Sequence, residues 1–281
     1  MTDTVDRRLT HLSLAATRLG NAFARPRVLA VICVLTLTAL GWFYIGLLVA
    51  NADAGASQLF GALCRPLAGA RGSGHFVLVL SMWGAMAFAM MLPSAAPMIF
   101  TYAEIADTAA RKSEPIVSPF ALASGYAFVW LAFALAAAAV QTALTGSGFL
   151  NGNMMPASAW VSAAIFAAAG LYQFSAFKHA CLTKCRHPFP FFFANWKTTP
   201  RGVFGLGVRQ GLYCLGCCWA MMLVMLAAGV MNVVWMAALG AVMTIEKMTA
   251  GRRFSRALGV AFIVIGVAAA AFAGYWPPRP N

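Results

Sequence analysis

Long apolar runs separated by short polar connections dominate the chain from residue 28 onward. Runs at about 28–50, 76–98, 118–143, 156–177, 206–229, 231–249 and 257–275 are each close to the roughly 20 residues a helix needs to cross a bilayer. The pattern predicts an all-α, polytopic transmembrane helix bundle of about seven spans. A basic segment, 1–27, precedes a single transmembrane domain over 28–275, and a short tail, 276–281, follows. The first span comes after a long Arg-rich stretch and has no small-residue cleavage site behind it, so it reads as a retained helix rather than a removed signal.

Composition agrees with this reading: 62% of residues are hydrophobic and only 10% charged, with a mean hydropathy of +0.78, far from a soluble domain. The net charge of +13 is not a nucleic-acid signal, because the basic residues sit in tails and connections. Arg7, Arg8, Arg18, Arg25 and Arg27 precede the first span, Arg111 and Lys112 follow the second, and Lys178, Lys184, Arg186, Lys197 and Arg201 follow the fourth. Arg252, Arg253 and Arg256 follow the sixth. The alternate connections at 51–75, 144–155 and 229–231 carry few charges. By the positive-inside rule the N-terminus is cytoplasmic and the C-terminus lies outside, in a membrane expected to be the bacterial inner membrane.

Candidate chemistry concentrates in sulfur. Cys214, Cys217, Cys218, Met221 and Met225 fall at i, i+3, i+4, i+7 and i+11 of the fifth span, which stacks them along one helical face. Met82, Met86 and Met90 repeat every four residues on the second span, with Met91 and Pro93 near its inner end. Lys178, Cys181 and Cys185 share a face of the fourth if its helix continues past Gln173. The sixth adds Asn232, Met236 and Met243, with Glu246 and Lys247 at its inner end. Soft thiolates and thioethers in an apolar setting suit copper(I), with zinc or an iron–sulfur cluster the alternatives if more cysteines converge.

Each signal has an ordinary counterpart. Methionine fills irregular gaps between helices, and cysteine among glycines permits close helix approach. Glu246 could simply pair with its neighbour Lys247 at the interface. Arg209 and Gln210 stand one turn before Cys214, and a cation near thiols favours the thiolate. Cys33 and Cys64 are isolated. His11 and His75 lie in the tail and an outer connection, His179 and His187 flank the CxxxC pair, and no histidine occupies the middle of a span, which argues against haem.

The blocks MWGAMAFAMMLPS at 82–94, GLYQFSAFKHACLTKCRHP at 170–188, GLYCLGCCWAMM at 211–222 and GVMNVVWMAALGAVMTIEK at 229–247 resemble the family of predicted metal-binding integral membrane proteins, domain of unknown function 2182, over most of 76–250. The resemblance implies as characteristic residues Met82, Met86, Met90, Met91, Pro93, Gln173, Lys178, Cys181, Cys185, Cys214, Cys217, Cys218, Trp219, Asn232, Trp235, Glu246 and Lys247.

The expectation is a membrane protein that binds, delivers or conducts copper(I) through Cys214, Cys217, Cys218, Cys181, Cys185, Met86, Met90, Met221 and Glu246. Its partners would be the bilayer, a copper donor or acceptor protein, or a larger membrane complex. The alternative is a membrane redox enzyme, or a subunit of one, using a Cys-ligated metal or a thiol pair. A disulfide generator would want its cysteine pairs on the oxidising outer face, whereas these lie towards the cytoplasm. No P-loop or aspartyl-phosphate motif suggests primary active transport.

Overall fold

The computed structural model describes residues 26–53, 73–112, 115, 117–150, 156, 158–228, 233–249 and 251–273. The basic segment before residue 26, Cys64, His11, Asn232 and the Trp-Pro-Pro tail lie outside them. Among the described residues nine helices form an all-α bundle: α1 Pro26–Asp53, α2 Ser73–Arg111, α3 Pro119–Gly146, α4 Ala159–Tyr172, α5 Ala176–Arg186, α6 Pro188–Ala194, α7 Pro200–Ala228, α8 Val233–Met248 and α9 Arg253–Ala273. Five of them (α1, α2, α3, α7 and α9) are long and apolar enough to cross a membrane, and a sixth span results if the bent pair α4 and α5 counts as one. The segment expected as a sixth span, 231–249, is represented by the 16 residues of α8.

Two elements depart from the hydrophobic pattern. The second apolar run was expected to end near residue 98, yet α2 is 39 residues long and passes through Pro93 and Pro97. Proline removes one helical N–H and frees the carbonyl four residues earlier, and a membrane helix tolerates this where a neighbour satisfies that group. For Pro93 the freed carbonyl is that of Ala89, and the Trp42 indole of α1 donates to it at 3.1 Å.

The second departure is at Gln173, where the fourth run does not continue straight. Ser175 caps a new helix by accepting from the Lys178 backbone N–H at 3.1 Å, an arrangement Ser favours at helix starts. α5 therefore leaves α4 at 65°.

Packing around the interior is cyclic. Helix α2 packs on α3, α3 on α7, α7 on α8 and α8 back on α2, while α5 and α4 cover the outer side of α7, α9 lies along α4, and α1 lies along α2. The α3–α7 contact is close because Gly125 and Gly207 face opposing backbone: a Cβ on Gly125 would collide with the Phe204 carbonyl, and one on Gly207 with the Leu122 carbonyl. Small residues at such crossings let two backbones approach in the absence of a hydrophobic driving force. Exposed Leu, Val and Phe on α1, α3 and α9 complete an outer surface suited to lipid.

Candidate metal centre

The cysteine run lies on α7 where all of its neighbours converge. Cys214, Cys217 and Cys218 are each at most 2% exposed. Cys217 Sγ lies 3.4 Å from Cys218 Sγ and donates to the Cys214 carbonyl at 3.2 Å. Residues three and four apart share a helical face, so the three thiols form a short ladder about one turn tall.

Two polar side chains from other helices reach Cys214. The Tyr126 hydroxyl of α3 lies 3.0 Å from its sulfur and 3.1 Å from the Met91 carbonyl of α2, to which it donates. Lys247 of α8 places Nζ 3.0 Å from the same sulfur and donates to Ser94 Oγ at 2.7 Å. Ser94 in turn donates to the Met91 carbonyl at 2.8 Å. Four helices thus contribute to one polar knot.

The other face of α7 meets α5. Cys181 is buried, and Gly216 makes room for its sulfur, which would lie 2.7 Å from a Cβ at that position. Cys185, half-buried, reaches the Cys217 side chain. The Tyr172 hydroxyl donates to the Gly216 carbonyl, and its ring meets Trp219 edge-on at 5.0 Å. Cys217 accordingly stands between two groups of thiols, with Cys214 and Cys218 on one side and Cys181 and Cys185 on the other.

Glu246 does not pair with Lys247. Its carboxylate lies 2.9 Å from Lys178 Nζ, which also donates to Gln173 Oε1, and Lys178 and Glu246 are 0% and 1% exposed. Adjacent helical residues point about 100° apart, which sends Glu246 to α5 and Lys247 to α7. Arg186 closes the cluster, donating through Nε and Nη2 to the Glu246 carbonyl at 3.1 and 2.6 Å and through Nη1 to the Gly251 carbonyl at 3.2 Å. This ties the last turns of α5 and α8 together.

Met82, Met86, Met90, Met91, Met221, Met225, Met236 and Met243 are all buried in the same contiguous cluster as the α7 cysteines. Trp235 is 41% exposed. Arg209 turns away from the thiols to Asn195, at 3.1 Å, and to the face of the Phe191 ring, because α7 starts nine residues before it, at Pro200. The cation beside the thiols is Lys247 instead. Tyr126 and Ser94 were not anticipated. A tyrosine well inside an apolar run is the trace they leave, since its hydroxyl needs a partner when buried.

Among the described residues no three His, Cys, Asp or Glu side chains converge on a common point as a ready metal cage. The side-by-side thiols therefore lack the closed tetrahedral set of structural zinc.

The long apolar helices are those of a membrane protein, and a family match makes it a copper-related one. The chain belongs to the family described as PpoB2, copper chaperone, whose family model matches residues 80–269. No curated protein and no solved structure matches it.

Proposed function

We propose that this is a membrane-embedded copper(I) chaperone in which Cys214, Cys217 and Cys218 hold the cargo ion. Cys181 and Cys185 stand at the receiving or releasing side, and the thioethers of Met86, Met90 and Met221 adjoin the core. The observation that carries the reading is the buried ladder of three thiols, with an ammonium beside it, in a chain of a copper chaperone family. Copper(I) prefers soft sulfur donors and tolerates few of them. Two thiolates around a monovalent cation leave one negative charge, and the Lys247 ammonium offsets it inside the bundle, where an uncompensated charge is costly. Glu246 acts through Lys178, holding the α4–α5 elbow against α8 so that Cys185 and Lys247 keep their positions.

The same reading takes over the sequence expectations of seven crossings, a cytoplasmic N-terminus, a bacterial inner membrane and kinship with the domain of unknown function 2182. With the basic connections inside, Cys185 lies towards the cytoplasm, where a soluble donor or acceptor could exchange the ion with it.

The test is anaerobic titration of the purified full-length protein with copper(I) in competition with a chromogenic copper(I) chelator. Wild type is expected to withdraw copper from the chelator. Cys217→Ser should weaken that binding most among single changes, because Cys217 borders both groups of thiols. Unchanged copper retention after replacing all three α7 cysteines with serine, together with Cys181→Ser and Cys185→Ser, would leave the reading without its ligands.

A further inference from the structure

Beyond the cysteines the interior is lined with sulfur of a second kind, and helical register fixes its height. Tyr126 ties Met91 of α2 and Cys214 of α7 to one level, since its hydroxyl reaches both. Moving away from the thiols, Met86 lies five residues from Met91, a rise of about 8 Å, and Met221 lies seven residues from Cys214, a rise of about 10 Å.

Helix α8 joins the same scale. Its Lys247 end meets Cys214 of α7 and Ser94 of α2, and a Cβ on Gly240 would sit 3.1 Å from Met90 Cε, so it runs parallel to α2 with Gly240 level with Met90. Met236 is one turn further on, about 6 Å beyond Gly240. That places it level with Met86. Met236, Gly240, Met243 and Lys247 share one face of α8 at i, i+4, i+7 and i+11, and this face meets α2 at Met90 and α7 at Cys214. Met221 continues the Cys214 and Cys218 face of α7.

Met86, Met221 and Met236 are 0%, 0% and 2% exposed. They come from three members of the closed ring of helices and arrive at similar heights, within about one turn of Cys218 at the near end of the thiol ladder.

We infer that Met86, Met221 and Met236 form a second copper(I) site, built only of thioethers, which exchanges the ion with the Cys214–Cys217–Cys218 ladder. This rests on the copper reading and deepens it. Three neutral sulfur donors suit copper(I), which accepts thioethers where zinc and harder ions prefer other ligands. Neutral donors also bind more weakly than thiolates, and an ion that must move on needs a site that releases it. The transfer is ligand exchange: copper stays copper(I), one sulfur bond forms as another breaks, and no electron is moved. Met90, next to Met91 at the height of the ladder and against Gly240, is placed to be the donor that links the two sites.

The two sites separate by pH and by substitution. Thiol ligands must lose a proton to bind and thioethers have none to lose. Full-length protein in lipid nanodiscs would be titrated anaerobically with copper(I) supplied as its acetonitrile complex, at pH 7.5 and pH 5, with sulfur ligation followed by X-ray absorption at the copper edge. Wild type is expected to hold two ions at pH 7.5. The triple variant Cys214→Ser, Cys217→Ser, Cys218→Ser should keep one ion at both pH values. The triple variant Met86→Leu, Met221→Leu, Met236→Leu should keep one ion that is lost at pH 5, and that retained ion also reports that the variant has folded. Met-to-Leu changes conserve volume closely enough to keep the core. Met222→Leu, equally buried but off the shared face, should behave as wild type.

Loss of all copper in the cysteine triple variant, or two ions in the methionine triple variant, would overturn the second site and leave the chaperone reading standing. Failure of wild type to bind copper(I) at either pH would overturn both.

Discussion

Lys247 brings an ammonium against Cys214 and hands its other hydrogen bond to Ser94, so one side chain serves both the charge of the ladder and its position. Lys247→Met would keep most of the buried length and remove the charge. Copper(I) affinity at the thiol ladder is expected to fall about tenfold or more, about 1.4 kcal/mol, read by chelator competition. Tyr126→Phe removes a hydroxyl shared between Cys214 and the Met91 carbonyl, but Ser94 still donates to that carbonyl. Its effect should be smaller, about 1 kcal/mol of stability, with copper affinity changed less than by Lys247→Met. Equal losses in the two variants would mean that Lys247 acts by packing rather than by charge. The sulfur positions were legible in the sequence because helical periodicity assigns a face without knowledge of neighbours. The partners of Cys214 were not, because Tyr126 and Lys247 come from two other helices whose rotation no local pattern specifies. The neighbouring Glu246 and Lys247 invited a local pairing for the same reason, yet their side chains leave the helix about 100° apart and meet α5 and α7 separately.

At the scale of elements, the buried ion pair between α5 and α8 is the joint with most at stake. Lys178 and Glu246 are almost wholly buried, and breaking such a pair by removing one partner strands the other charge, typically at about 3–5 kcal/mol. Glu246→Gln is therefore expected to lower the midpoint of thermal unfolding in detergent sharply. The double variant Lys178→Met, Glu246→Gln should recover much of the loss, since no charge is then left unpaired. Recovery of stability without recovery of copper binding would mark the pair as a positioning device for α5, whereas recovery of both would make it purely structural. The elbow that delivers Lys178 was only half visible beforehand. Hydropathy predicted one apolar run over 156–177, and the Ser175 cap that starts a new helix is a single-residue signal embedded in it. The length of α2 was hidden for a related reason: two prolines and a polar end suggest termination, and only the Trp42 indole, 47 residues away in sequence, shows how the freed carbonyl of Ala89 is satisfied.

For the whole molecule, the arrangement of helices and the distribution of charge make a joint demand on topology. The closed ring of α2, α3, α7 and α8 brings the thiol ladder, the Lys178–Glu246 pair and the basic residues Lys184, Arg186 and Lys197 towards one end of the bundle. Ser147, which follows α3, lies at the other, since α3 runs 28 residues from Pro119 to Gly146. Positive charge is retained on the cytoplasmic side of a membrane, so the thiol end should face the cytoplasm. Ser147 and Lys197 are both exposed and can report this without disturbing the core. Ser147→Cys and Lys197→Cys, each introduced where Cys33 and Cys64 have been replaced by alanine, should label from opposite sides with a membrane-impermeant maleimide in intact cells and inverted vesicles, Lys197→Cys from the cytoplasm. Labelling of both from one side would remove the α4–α5 pair from the set of crossings. Labelling of Lys197→Cys from outside would invert the bundle and turn the thiol end towards an oxidising compartment, where neighbouring cysteines such as Cys217 and Cys218 would be poised for disulfide chemistry rather than for copper(I).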